Sequence, residues 1–171
     1  YASVEMQEHP ELRGKSIAVC GDPEARHGIV LTASYPAKRM GVKTGMPIWE
    51  AKQHCRDLII VPASYGKYQK YSGYVREVFN DYTDQVESFG LDEAWLDITG
   101  SVGLFGSPVK IAKEISVRIK RELGITVSIG VSFNKITAKL GSDYKKPDAI
   151  TVIEPDTYKQ IVYPLPVGDL L

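Results

Sequence analysis

No run of apolar residues in this 171-residue chain approaches the ~18 that a membrane-crossing helix needs. No secretory pattern is visible in it either. Neither sign of charge dominates: 21 Lys and Arg face 21 Asp and Glu, a net charge of zero. No global field therefore draws the chain toward nucleic acid or membrane, and any such affinity has to come from local patches. Cysteine is scarce. Cys20 and Cys55 form no CxxC pair, which excludes a disulfide framework and reads as reduced thiols of a cytosolic protein. The histidines, His9, His27 and His54, show no HExxH spacing and no cluster, so a histidine-held zinc site is excluded. GVKTG has the wrong residue order for a phosphate loop. Around Ser128, Thr126 stands where a nucleophile elbow needs glycine.

What is present is a core-forming composition, 43% hydrophobic, enough for one core or a core plus a small appendage. SIAVC (16–20) reads as a buried strand closed by the turn signal GDP, and GIVLTAS (28–34) as a second β-branched run. YPAKRMG reads as a turn or two of helix stopped by Gly41. Pro47 opens a helix through Cys55, LIIV (58–61) is a strand, and apolar residues recur at helical spacing over 66–82. VESFG and AWLDI are two short strands. Residues 108–123 carry a stripe of Ile111, Ala112, Ile115, Ile119 and Leu123 that ends at Gly124, the clearest helix in the chain. TVSIGVS (126–132) reads as a strand, Asn134 caps a helix to Ser142, AITVI is a strand, and Asp156 starts a last helix. The alternation implies an α+β protein with helices packed on a mixed sheet.

Two carboxylates interrupt the apolar stretch FGLDEAWLDI: Asp92 and Glu93. Neighbours in a strand point to opposite faces, so the two reach one site only from a bend between VESFG and AWLDI. With no His or Cys near, an oxygen-only site suits Mg²⁺ or Mn²⁺. The alternative at this point is a solvated acidic turn. Asp97, further along the strand, reads as structural. Basic residues collect in AKRMGVK (Lys38, Arg39, Lys43) and NKITAKLGSDYKKP (Lys135, Lys139, Lys145, Lys146). Both clusters follow strands, where phosphate is met. Taken alone they read better as ordinary surface lysines on short helices.

YASVE, TASYPAKRMGVKTGMP, LDEAWLDITG and SIGVSFNKITAKLGSDYKKPD occur in that order over nearly the whole chain. Together they resemble the Y-family of translesion DNA polymerases, most closely the bacterial DNA polymerase IV (DinB-like) branch. The resemblance implies an α+β fold. Its palm would have a mixed or antiparallel sheet backed by helices, a ferredoxin-like core, and a small α/β fingers domain would be appended. It places the palm at 1–10 and 66–165, lacking its first strand, the fingers at 11–65, and the start of a thumb at 166–171. It implies template-directed, low-fidelity nucleotidyl transfer from a dNTP to a primer 3′ end during DNA damage bypass. Two Mg²⁺ ions, or Mn²⁺ as substitute, would serve the reaction in a cytoplasmic enzyme. Primer–template DNA and a sliding clamp, engaged through C-terminal regions, are the implied partners, with no membrane.

By the same resemblance Asp92 and Glu93 are catalytic and metal-binding. Tyr1 is the steric gate beneath the incoming sugar, and Thr32, Tyr35, Lys38 and Lys146 bind the nucleotide triphosphate. Three departures stand out. Lys38 replaces the usual arginine, turning a bidentate fork into a point charge. Gly90 replaces the serine that usually stands two residues before the acids. The family's first metal-binding aspartate precedes the position of Tyr1, so the chain reads as a fragment, without its thumb and little finger and inactive on its own. Two rival readings remain at this point. One is a GGDEF-type nucleotide cyclase, whose signature wants Gly-Gly before the acids. The other is a palm and fingers scaffold without chemistry.

Overall fold

The computed structural model describes residues 1–21 and 28–169. The turn expected at Asp22 and Pro23, His27, and the last two residues of the expected thumb start lie outside the described residues. In chain order the elements are α1 (Ala2–Glu8), β1 (Ile17–Cys20), β2 (Val30–Ala33), α2 (Tyr35–Arg39), α3 (Ile48–His54), β3 (Ile59–Pro62) and α4 (Tyr65–Asn80). There follow β4 (Val86–Phe89), β5 (Glu93–Leu96), α5 (Val102–Phe105), α6 (Pro108–Leu123), β6 (Ile129–Ser132), α7 (Lys135–Tyr144), β7 (Ile150–Ile153) and α8 (Tyr158–Val162). The class is α+β, with the strands spread over three small sheets. Two compact units, Tyr1–Tyr71 and Ser72–Leu171, divide the chain within α4. Among the described residues no helix is long and apolar enough to cross a membrane.

In the first unit β1 is the central strand, antiparallel to β2 and parallel to β3. All four of its residues are buried, which is why IAVC reads as a continuous apolar run rather than an alternation. Ala18, Cys20, Val30, Ala37, Ala51 and Leu58 share one core with Cys55. Both cysteines are free thiols, and burial pushes the Cys20 thiol up from its ordinary pKa. Buried Ser34 accepts the Ile17 N–H at 3.0 Å and donates to the Lys15 carbonyl at 3.0 Å. It thereby ties the start of α2 to the start of β1. α2 stops where Gly41 takes φ +93°, a left-handed value that favours glycine.

The second unit is built on α6. Ser107 caps its N-terminus by accepting the Lys110 N–H, Pro108 occupies its first turn, and Gly124 closes it at φ +68°. Ile111, Ile115 and Ile119 pack against Val78 and Tyr82. Each such isoleucine contributes about 1.5–3 kcal/mol by leaving water. β4 and β5 form an antiparallel hairpin, while β6 and β7 are parallel and α7 is their crossover. The strand expected over 126–132 is shorter: β7 begins at Ile150, paired with Ile129, and among the described residues no strand pairs with 126–128. Val127 packs into the α6 core instead. The last helix starts at Tyr158 with Thr157 as its cap, not at Asp156, because the Thr157 N–H closes a turn on the Glu154 carbonyl at 3.1 Å.

Candidate active site

The two acids lie at the tip of the β4–β5 hairpin. Phe89 and Glu93 form the last cross-strand pair, and Gly90, Leu91 and Asp92 make the reversal. Gly90 has φ +71°, and its carbonyl accepts Arg76 Nη2 at 3.0 Å. That φ gives a physical account of the departure from serine: any side chain at this position is strained, although the space around it is open. Asp92 is exposed in the turn, and Glu93 is half-buried as the first residue of β5.

One face of the hairpin is fastened to α7. Directly opposed residues of an antiparallel pair share a face, as do residues two apart in one strand. Glu87, Trp95 and Glu93 therefore line up together, the first two as a cross-strand pair. Residues four apart on a helix also share a face, and Lys135 and Lys139 meet this row. Lys135 pairs with Glu87, its ammonium lies 5.5 Å from the Trp95 ring centroid, and its carbonyl accepts Trp95 Nε1 at 3.1 Å. Lys139 donates to Glu93 Oε1 at 2.7 Å and to Asp143 Oδ2 at 2.8 Å. Lys146 pairs with the other oxygen of Asp143.

The result is a row of alternating charge, Glu93, Lys139, Asp143, Lys146. Burial opposes the charge on Lys139, but its bonds to Asp143 and Glu93 outweigh that and hold its pKa above the ordinary lysine value. Burial likewise raises Asp143, yet Lys139 and Lys146 bring it below the usual carboxylate value.

Glycine sets how closely α7 approaches its strands. A Cβ at Gly130 of β6 would lie 1.8 Å from the Ala138 carbonyl oxygen and 2.6 Å from the Ser142 nitrogen. A Cβ at Gly141 would lie 3.1 Å from the Cα of Gly130. Helix and strand thus meet backbone to backbone. Asn134 Oδ1 starts the helix by accepting the Thr137 N–H at 2.9 Å. Ser132 donates to the Ile153 carbonyl at 2.6 Å and shares a hydrogen bond with the Thr137 hydroxyl.

The other expected nucleotide ligands belong to the first unit. Thr32 is a half-buried residue of β2 paired with Val19. Tyr35 and Lys38 share one turn of α2, with the ammonium 5.4 Å from the ring centroid. Tyr1 is the N-cap residue of α1, and its ring stacks on Tyr68 at 4.3 Å and 9°. Tyr68 donates to Glu5 Oε1 at 2.6 Å, and Lys67 pairs with Glu5 Oε2 at 3.3 Å. Asp97 is engaged structurally: its carboxylate accepts the Thr99 N–H at 2.9 Å. The Thr99 hydroxyl and backbone N–H together lower its pKa.

The structure therefore adds Lys139, Asp143, Tyr68 and Glu5 to the residues picked out from sequence. Lys139 carried a signal there only as one of four lysines in a basic cluster.

Among the described residues no group of three or more His, Cys, Asp or Glu is placed to hold a metal ion. The two acids at the tip still suit a hard divalent cation. Their donors are carboxylate oxygens, and Glu93 is already directed at a positive charge, the Lys139 ammonium.

The family model described as impB/mucB/samB matches residues 1–143. The chain belongs to that family. The match takes in the YASVE and fingers segments, which the nucleotide cyclase reading leaves unexplained. The chain is 58% identical over 171 residues to a protein of Acetivibrio thermocellus named DNA polymerase IV, covering 100% of this chain and 43% of the relative. It is 44% identical over 170 residues to DNA polymerase IV 1 of Bacillus subtilis, covering 99% of this chain and 41% of that protein. It thus spans under half the length of these members. Two solved structures, an insertion ternary complex of Dbh DNA polymerase and DinB from Sulfolobus solfataricus, each superpose with a TM-score of 0.90 at 35% identity. Each match covers 99% of this chain and 50% of the other. The Y-family resemblance carried by the four sequence motifs is borne out, and so is the α+β palm-and-fingers fold class.

Proposed function

We infer that the chain is the palm and fingers part of a translesion DNA polymerase, with palm at 1–10 and 66–165, fingers at 11–65, and the thumb beginning at 166–171. The reaction is templated nucleotidyl transfer from a dNTP to a primer 3′ end in the cytoplasm. A thumb, a little finger and a clamp contact belong to the whole protein. The observation that carries this reading is the acid pair at a hairpin tip clamped to α7, with Glu93 held 2.7 Å from a cationic group.

Asp92 and Glu93 would hold the divalent ions. When bound, two Mg²⁺ ions, or Mn²⁺ in their place, supply Lewis-acid stabilisation of the charge on the transferring phosphate. The exposed turn lets Asp92 reach outward, and the strand fixes Glu93, as a preorganised site requires. Lys146, Tyr35, Lys38 and Thr32 bind the triphosphate. Lys38 does so as a point charge, giving up the fork geometry of arginine. The Tyr1 ring, backed by Tyr68, excludes a ribose 2′-hydroxyl.

Primer extension by the full-length protein on four templates tests this. Each template base is expected to direct its complement. A cyclic dinucleotide formed from GTP alone, with no extension of the primer, would overturn the reading.

A further inference from the structure

Lys139 has two carboxylate partners. Its ammonium sits between Glu93 of the hairpin and Asp143 one turn along its own helix, at 2.7 and 2.8 Å. Lys139 and Glu93 are each about one-third exposed, at 33% and 32%, so solvent screens the pair only partly. A divalent ion on Glu93 would share that carboxylate with a monovalent cation. The two positive charges repel, and one must yield. Asp143 offers the ammonium somewhere to go without leaving it unpaired. The two are four residues apart on α7, so the exchange needs a side-chain rotation and no movement of the helix. The backbone contacts of Gly130 and Gly141 hold α7 in place meanwhile.

We propose that Lys139 is an internal counter-ion that positions the Glu93 carboxylate while the cation is absent, and that Asp143 is a positioning residue that takes Lys139 up when a divalent cation binds. The proposal rests on the reading of Asp92 and Glu93 as cation ligands. It makes apparent cation affinity the outcome of a competition, in which Lys139 opposes binding and Asp143 relieves the opposition. The alternating row then compensates the Glu93 carboxylate of the hairpin when no cation is bound.

Mn²⁺ alone, titrated into the full-length protein without nucleotide or DNA and followed by the electron paramagnetic resonance of the free ion, is the test. D92N should abolish tight binding. K139M should tighten it by roughly tenfold, because a unit charge close to the ion is removed. K139Q should do the same, which guards against a fold defect in either variant, and K139R, which keeps the charge, should stay near wild type. D143N should weaken binding by about threefold, since Lys139 is then left to Glu93. In the K139M background D143N should have little effect.

Mn²⁺ binding indifferent to D92N overturns the metal reading and the proposal with it. Binding that requires Asp92 but is unmoved by both K139M and K139Q overturns the proposal alone. Equal weakening by D143N in both backgrounds marks an ordinary field effect and removes Asp143 from it.

Discussion

Tyr68 carries two tasks in one side chain. Its ring supports Tyr1, and its hydroxyl fills one oxygen of Glu5, a carboxylate only 1% exposed. Burial and then the Glu5 bond push the Tyr68 pKa well above the tyrosine range. Tyr68→Phe keeps the stack but leaves Glu5 short of a donor, and should cost about 1–3 kcal/mol. The sign of the pH dependence follows from the raised pKa. Stability due to the phenol proton is fully present below the unfolded value of about 10 and is lost as pH rises through the higher folded value. Urea midpoints measured from pH 8 upward should therefore show wild type above Y68F, with the gap narrowing beyond about pH 10. A gap that widens would contradict the assignment. None of this was legible in sequence. The Asp92–Glu93 pair was, because it sits in one contiguous motif. The partners of Glu5 and Glu93 lie 62 and 46 residues away or thereabouts, and only the folded chain brings them in.

At the scale of elements, α6 was readable to its caps because its start and stop signals are local: Pro108 at the beginning and Gly124 at the end. α5 went unseen because Gly100, Gly103 and Gly106 dilute any helical signal around it. The shortened β6 has the opposite cause, a β-branched run longer than the partner strand. The docking of α7 depends on glycines that sequence marks as nothing special. Gly130→Ala places a methyl group against main chain that cannot rotate away, and should destabilise the second unit by about 3 kcal/mol or more. Gly90→Ala meets open space and pays only for its positive φ, about 1 kcal/mol. Urea unfolding of both variants checks the order. Gly130→Ala at or below the cost of Gly90→Ala would show that the backbone contact is not what seats the helix.

For the whole molecule, zero net charge is the main constraint on DNA binding. The basic segment around α7 adds less than its lysines imply, since Lys135, Lys139 and Lys146 are each paired with an acid of the same unit. Log affinity falls with log salt at a slope of about −0.9 per phosphate neutralised. These 171 residues should therefore bind a labelled primer–template weakly, with a slope magnitude of about 3 or less. With two described acids in the site they should not extend the primer. Sub-micromolar binding with a steep slope at physiological salt would contradict this. The family and fold class were legible in four motifs spread along the chain, whereas the neutralisation of Lys135, Lys139 and Lys146 was not, because it is a property of pairing rather than of composition.

The central claim is that the hairpin tip is where nucleotidyl transfer is performed, and single-turnover primer extension by Asp92→Asn in the full-length protein tests it most directly. Asp92 is exposed and sits in a turn, so the substitution should change stability by no more than about 0.5 kcal/mol, which a urea titration verifies. The rate should fall by at least about 10³-fold, because charge stabilisation supplies most of the catalysis in phosphoryl transfer. A folded D92N protein that extends primers within about tenfold of wild type would contradict the account.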